Sequence, residues 1–348
     1  MDKIRLGLIG CGRMMNVHAK AVNSCTEALE ITAVCDVVRE QAEDVAKVLG
    51  NNPFVCTDYR EMVDCVDAVL IALPHDLHYE CGMFFAYQKK HILMEKPLCN
   101  TEEECLKLIE TCEKQDVTLM CAYPVRYWPG IVKLKELLDS GEYGKVFMMS
   151  VWTEQLTYRD WDHWLTTARL GGGQLFSHGC HYIDLLLWFL GQPVSGTHTG
   201  TNVGTEWMMR EGTSAVTMKF ANGAVAYHGA TWGARGTRLG YDFQVHTEMG
   251  MLDYDHHAGT ITFYSREEAH EPGKVSKSTK EIIWNQGSGT KVTNNEIDHF
   301  ADCVLNHKTP LTSGRTALES LRVIWKIYDA EKNGTVADLR DINPASYQ

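Results

Sequence analysis

The feature that most constrains the fold lies in residues 4–36. There an apolar run, IRLGLI, feeds into Gly10-Cys11-Gly12, and a second apolar run, LEITAVC, ends on Asp36. Short apolar runs of this kind read as buried strands, and residues 13–24 between them read as a helix. Two glycines at the junction let the backbone turn sharply and approach a pyrophosphate, whose charge then meets the helix N-terminus. An acid at the end of the second strand accepts hydrogen bonds from both hydroxyls of an adenosine ribose and repels a 2′-phosphate. Asp36 therefore points to NAD over NADP as the cofactor. A Gly-x-Gly alone carries little information, whereas strand, turn, helix, strand and terminal acid in register carry much more. Met15 occupies the third glycine position of such turns, so the sequence does not assure close helix–strand packing there.

The alternation continues through the first third of the chain. Residues 41–49 read as a helix closed by Gly50, and residues 67–73 (DAVLIAL) as a fully buried strand ended by Pro74. A helix over 79–89, a strand over 91–94, a helix over 102–114 behind a Thr101/Glu104 capping box, and a strand over 117–122 follow. Such a series predicts a parallel sheet wound on both faces, with ligands at the carboxyl ends of its strands. After about residue 123 the pattern changes. A helix over 131–139 precedes a strand over 145–156, a glycine-rich loop and a helix over 181–190. Alternating strands are expected at 214–220, 224–231, 242–247, 251–254 and 260–264, with Asn222-Gly223 as a type I′ hairpin signal and 268–280 as a polar loop. Helices return over 295–333, and 336–339 form a short last strand. The predicted fold class is α/β: a doubly wound Rossmann domain over 1–122, then an α+β domain with an open, largely antiparallel sheet over 123–348. The helices at about 295–333 are expected to pack back on the first domain.

Composition narrows the function classes. With 348 residues, 44% hydrophobic and 22% charged, the chain can bury the cores of two domains. A formal charge of −12 without a basic stripe makes nucleic acid and anionic membrane poor partners. The opening residues lack the hydrophobic region and cleavage site of a signal peptide, and no apolar run reaches membrane-spanning length. The 12 cysteines are scattered without a Cys-x-x-Cys pair and read as buried free thiols in a reducing compartment. The expectation is a soluble cytoplasmic protein.

Two motifs carry chemistry. Glu95-Lys96-Pro97 ends a parallel strand, where the proline removes a ladder donor and stops it, so that Lys96 projects towards a ligand. A lysine at a strand end is common in itself. Further on, Gly171-Gly172-Gly173 leads through Ser177, His178 and Gly179 to His181 and Asp184. A histidine in a first helical turn has its imidazolium form disfavoured, leaving it neutral and able to take a proton. A histidine satisfied by local hydrogen bonds is the plainer alternative. His178 and His181 also invite a zinc reading, but no convincing third ligand is apparent, so no metal is expected. Ahead of the glycine loop, Tyr158, Asp160, Trp161 and Trp164 suit a carbohydrate, whose flat faces stack on aromatic rings while carboxylates accept its hydroxyl hydrogens. The two tryptophans, three apart, fit the core of one helical turn equally well. Tyr123, Arg126 and Tyr127 follow the last Rossmann strand within reach of the same pocket, and Arg235 and Arg238 are further candidates. His256-His257 reads as an exposed turn.

Together GLIGCGRM, ALPHDLHYE, MEKPL, GGGQLFSHGCHYIDLLLWFLG and TALESLRVIWKIYDAEKNG resemble the glucose–fructose oxidoreductase / inositol dehydrogenase / rhizopine catabolism (Gfo/Idh/MocA) family over nearly the whole chain. The resemblance implies an NAD(P)-dependent oxidoreductase acting on a secondary hydroxyl of a sugar, polyol or glycoside, and a homodimer or homotetramer built through the sheet of the second domain. It implies a cofactor site from Gly10, Gly12, Arg13, Met14 and Asp36. Leu73, Pro74 and His78 of ALPHDLHYE join it, with Glu95 and Lys96 of MEKPL. Lys96 takes the place of the family's lysine and His181 that of its catalytic histidine. The family usually has an aspartate four residues before that histidine; here Ser177 stands there, followed by His178. Serine cannot serve as an anionic acceptor, so His178, Asp160 or a water relay takes over, or the chemistry differs. The alternatives are a glycosidase-like enzyme that retains NAD and works by transient oxidation and elimination, and a non-catalytic NAD-binding regulator.

Overall fold

A computed structural model describes residues 3–22, 27–160, 163–266, 278–287 and 293–343. The chain divides into two compact units. The first comprises residues 1–127, 168–171 and 292–321, and the second 128–167, 172–291 and 322–348.

The first unit is a parallel sheet of β1 (Ile4–Ile9), β2 (Leu29–Cys35), β3 (Phe54–Cys56), β4 (Ala68–Ile71), β5 (His91–Glu95) and β6 (Leu119–Ala122), in the order β3-β2-β1-β4-β5-β6. The order reverses beside β1, which creates a crevice at the carboxyl ends of the strands. Helices α1 (Arg13–Val22), α2 (Arg39–Leu49), α3 (His78–Tyr87) and α4 (Glu102–Gln115) connect them. The start of α4 is set by the capping box: Glu104 N donates to Thr101 Oγ1 at 3.3 Å and Thr101 N to Glu104 Oε2 at 3.2 Å. Met15, in the third glycine position, is fully buried with Leu6, Leu8 and Leu70, so a long apolar side chain fills the helix–sheet gap that a glycine would close. Helix α7 (Asn294–Leu305) adds Ile297, Phe300 and Ala301 to the same core. The Ile297 and Phe300 side chains each contribute roughly 1.5–3 kcal/mol on burial.

The second unit holds helices α5 (Pro129–Asp139) and α6 (Cys180–Leu190) and a second sheet. The strands are β7 (Val146–Glu154), β8 (Pro193–Thr201), β9 (Thr213–Phe220), β10 (Val225–Thr231), β11 (Tyr241–Thr247), β12 (Gly250–Asp255), β13 (Thr260–Arg266), β14 (Ser278–Asn285) and β15 (Ala337–Asp338). Their order is β14-β13-β12-β11-β7-β10-β9-β8-β15, antiparallel apart from the β7–β10 pair. Along β9, Ser214, Val216, Met218 and Phe220 are buried while Thr217 and Lys219 are exposed, the alternation of a sheet covered on one face. Helix α8 (Gly314–Asn333) runs from the first unit into the second.

The predicted class, a Rossmann sheet followed by an open, mostly antiparallel one, is the fold observed. Three details differ from the sequence reading. Strands β3 and β8 were not expected. The polar loop assigned to 268–280 gives way to β14 from Ser278 onward, and the rest of that loop lies outside the described residues, as do the last residues of the helix expected over 13–24. The hairpin between β9 and β10 is not a type I′ turn. Gly223 has φ 92° and Asn222 is not left-handed, while Gly223 N donates to Phe220 O at 3.0 Å and Phe220 N to Ala224 O at 2.9 Å. This is a three-residue loop with glycine in the left-handed position, which closes the same hairpin with one more residue.

Candidate active site

In the first unit, the turn after β1 is shaped for close backbone approach. Gly10 has φ 84°, and a Cβ there would sit 2.5 Å from the Ala72 carbonyl oxygen, whereas one on Gly12 would meet nothing within 4 Å. The carboxylate of Asp36 is held at both oxygens: Cys11 N donates to Oδ2 at 2.7 Å and Val38 N to Oδ1 at 2.8 Å. The glycine turn and the acid at the end of β2 thus form one rigid piece. Beside them opens a cavity of about 160 Å³ lined by Asp36, Val37, Thr57, Tyr59, Arg60 and Leu73, with the apolar character that an adenine face requires. Arg60 lines it while paired to Asp58 and Glu80, each at 3.2 Å. These residues fit an NAD molecule: open space over Gly12, a tight turn at Gly10, and a fixed acceptor for ribose hydroxyls.

Lys96 follows β5, and its backbone is locked by its neighbour. Lys96 N donates to Glu95 Oε2 at 3.1 Å, while Glu95 Oε1 pairs with His18 Nε2 of α1 at 2.7 Å. Glu95 is buried, and its carboxylate holds both of these groups. His78 is fully buried, with Nδ1 2.8 Å from Pro97 O and Nε2 2.9 Å from Leu73 O, so it joins the segment after β4 to the one after β5. Burial pushes the His78 imidazolium down, opposed by those two carbonyls. Tyr123 and Arg126 are also buried: the Tyr123 hydroxyl lies 3.0 Å from Ser320 Oγ, and Arg126 Nη1 donates to Leu311 O at 3.2 Å. They follow the last Rossmann strand, and these contacts tether them within this unit.

In the second unit, helical winding starts before His181. Leu175–Gly179 form one π-helical turn that runs directly into α6. His181 therefore stands well inside a continuous helix, and the expected first-turn effect of the macrodipole does not apply to it. Such single wide turns recur at functional sites. The turn buries Ser177 and leaves His178 half-buried, with its ring 5.8 Å from that of His181. Ser214 Oγ donates to Gln174 Oε1 at 3.0 Å, which leaves the Gln174 amide nitrogen, 3.3 Å from His178 Nδ1, as the donor there. His178 Nε2 then carries the hydrogen towards the Tyr241 hydroxyl at 3.5 Å, and Tyr241 donates in turn to Gln155 Oε1 at 2.9 Å. The chain of contacts assigns His178 the neutral Nε2–H tautomer.

Tyr158 is exposed and edges against Trp207, whose ring stacks on Trp232 at 6.1 Å. Asp160 lies in the same loop, where its carbonyl accepts from His163 N at 3.0 Å. Trp161 lies outside the described residues, and Trp164 opens a short 3₁₀ turn, Trp164–Thr166. His256 is buried and stacked on Trp128 at 4.0 Å, which replaces the exposed turn expected for it. The sequence reading missed Gln174, four residues before its partner His178, and Tyr241 and Glu211, whose partners are distant along the chain.

Residues 4–123 match an oxidoreductase family with an NAD-binding Rossmann fold, and residues 131–253 match the GFO/IDH/MocA C-terminal domain. The chain belongs to the Gfo/Idh/MocA family. It is 26% identical to the D-xylose 1-dehydrogenase [NADP(+)] of Haloarcula marismortui, over 97% of this chain and 94% of that one. It is also 26% identical to the scyllo-inositol 2-dehydrogenase (NAD(+)) of Bacillus subtilis, over 97% and 96%. Two further relatives are matched over only 55% and 62% of their own length. Levoglucosan dehydrogenase in complex with NADH and L-sorbose has the same fold, with a TM-score of 0.85 and 20% identity over 97% of this chain and 99% of that one. The first unit of this Gfo/Idh/MocA protein is an NAD-binding domain. No helix among the described residues is long and apolar enough to cross a membrane.

Proposed function

We propose that the protein is an NAD-dependent dehydrogenase that oxidises a secondary hydroxyl of a sugar, polyol or glycoside, or reduces the corresponding ketone. One observation supports this above the others. Lys96 sits at the carboxyl edge of the parallel sheet, where this architecture binds its ligands, and the Glu95–His18 lock fixes its backbone there. In this reading the Lys96 ammonium holds the substrate oxygen and His181 takes the hydroxyl proton. When bound, NAD supplies the hydride acceptor. Proton removal of this kind contributes roughly two to four orders of magnitude in rate. Tyr158 offers an exposed aromatic face to a sugar ring, and Asp160 an acceptor for its hydroxyls.

The second reading, a glycosidase-like enzyme that retains NAD, is kept by Ser177. A serine in the aspartate position removes an anion from beside the reacting hydroxyl. Oxidation of a free alcohol with stoichiometric NADH marks the first reading. Release of an aglycone without net NADH marks the second. No turnover on either class marks an NAD-binding regulator.

Cofactor choice follows from Asp36. NAD should bind at least tenfold more tightly than NADP, about 1.4 kcal/mol, because both carboxylate oxygens are fixed and a 2′-phosphate would face them. Asp36→Ala should narrow the gap, chiefly by weakening NAD. Equal affinities for the two cofactors in a direct titration would contradict this.

The face of the second sheet that carries Met148, Thr217, Val225 and Tyr227 is left uncovered by the described residues. We expect a homodimer or homotetramer that buries it. Light scattering at micromolar protein should give a multiple of 39.2 kDa, and a monomer mass would refute the expectation.

A further inference from the structure

The first amides of a helix lack intrahelical partners and have to be satisfied from elsewhere. At the π-turn that leads into α6, none of the usual short polar caps is present: no side-chain cap hydrogen bond is made at Gln174. Two residues far away in sequence serve instead. The Glu211 carbonyl accepts from Gln174 N at 2.8 Å, and Glu211 Oε1 accepts from Leu175 N at 3.4 Å. The Tyr328 hydroxyl of α8 accepts from Gly173 N at 3.2 Å and Phe176 N at 3.3 Å, and donates to Glu211 Oε1. Four consecutive amides, from Gly173 to Phe176, are therefore held by this one pair. The fit is tight, since a Cβ on Gly173 would lie 2.1 Å from the Glu211 carboxylate. A further layer supports it. His198 stands edge-on to Tyr328 at 5.0 Å and pairs through Nδ1 with Glu331 Oε2 at 2.6 Å, and Glu331 also receives Gly200 N at 2.8 Å. Burial pushes the Glu211 carboxyl up, opposed by its hydrogen bond from Tyr328 and by nearby His198.

We infer that Glu211 and Tyr328 are positioning residues. They pin the glycine loop and the start of the wide turn, and so set the register in which Ser177, His178 and His181 are presented. A π-turn holds one residue more than an α-turn, so a slip at its start carries His178 out of line with Gln174 and Tyr241 and rotates His181 with it. Glu211 occupies this place because a carboxylate suits the positive end of the α6 winding, and Tyr328 because its hydroxyl both accepts from amides and donates to the acid. The inference rests on the reading of His181 as the base, but one of its tests needs no substrate.

The experiment compares wild type, Tyr328→Phe and Glu211→Gln. Ring ¹⁵N–¹H spectra report the tautomers and surroundings of His178 and His181. Tyr328→Phe should move both sets of ring signals and lower kcat about tenfold or more, with KM and NAD affinity within about threefold of wild type. Glu211→Gln keeps an oxygen acceptor and should restore ring signals and kcat to near wild type. If Tyr328→Phe does not fold, Glu211→Ala carries the same test, because Tyr328 remains to hold Gly173 and Phe176. Wild-type ring signals and wild-type kcat in a variant whose only change is a lower melting temperature would overturn the positioning role. Absence of any turnover by wild type, with ring signals still displaced by Tyr328→Phe, would instead overturn the dehydrogenase reading and leave the clamp standing.

Discussion

Lys96→Ala and His181→Ala should each lower kcat by about 100-fold or more while leaving the fold and NAD binding in place. The asymmetry follows from where the two side chains stand. Lys96 follows β5, where Glu95 accepts from its backbone amide and pairs with His18. His181 lies inside a helix whose start is fixed by Glu211 and Tyr328 rather than by its own ring. In the proposed mechanism both groups serve the substrate rather than the fold, so melting temperatures should change little. His178→Ala is the informative companion. His178 is held in one tautomer by Gln174 and Tyr241, so it can fill the place of the family aspartate only as a hydrogen-bonding group, not as an anion. A loss as large as that of His181→Ala would show that this group lies on the proton path. Near-normal turnover in both Lys96→Ala and His181→Ala, on a confirmed substrate, would exclude the mechanism.

Gly10→Ala should abolish useful NAD binding, weakening it about 100-fold or more, and should also lower the melting temperature. At φ 84° an alanine costs roughly 1–2 kcal/mol in backbone strain alone, and its methyl would press against the Ala72 carbonyl at 2.5 Å. The turn can relieve this only by moving, which also moves the Cys11 amide off Asp36. Gly12→Ala provides the contrast. Its Cβ meets nothing within 4 Å in the protein, so the fold should tolerate it while the space a pyrophosphate needs is lost. Calorimetric titration with NAD, alongside thermal melts, separates the two effects. Affinity for NAD unchanged in Gly10→Ala would contradict the assignment of this turn.

The parts of this protein legible in its sequence are those whose physical requirement is local. Gly10, Asp36 and the Thr101/Glu104 capping box each act on residues or atoms close by in the chain or fixed by the strand–turn–helix unit, and the βαβ alternation gives the first sheet directly. Strands at or beside a sheet edge were harder. Strand β14 is exposed along most of its length and carries Ser, Thr, Lys and Glu, so its composition is that of a loop, and β8 is interrupted by glycine and threonine. Both are strands because a neighbour pairs with them, not because their residues demand it. The site of the second unit shows the same limit more sharply. His181 stands out from its motif, but the winding that carries it begins at Leu175. The groups that fix that start come from Glu211, 36 residues beyond Leu175, and from Tyr328, 155 residues beyond Gly173. Sequence spacing holds no trace of such contacts.

The most direct test of the central claim is a panel of sugars, inositols and glycosides incubated with the protein and NAD, with NADH and released aglycone both measured. The account predicts that at least one free sugar, polyol or intact glycoside yields NADH in proportion to the ketone formed, and that the signal disappears in Lys96→Ala. Aglycone release with no net NADH, or no reaction across the panel from a protein that binds NAD, would contradict it.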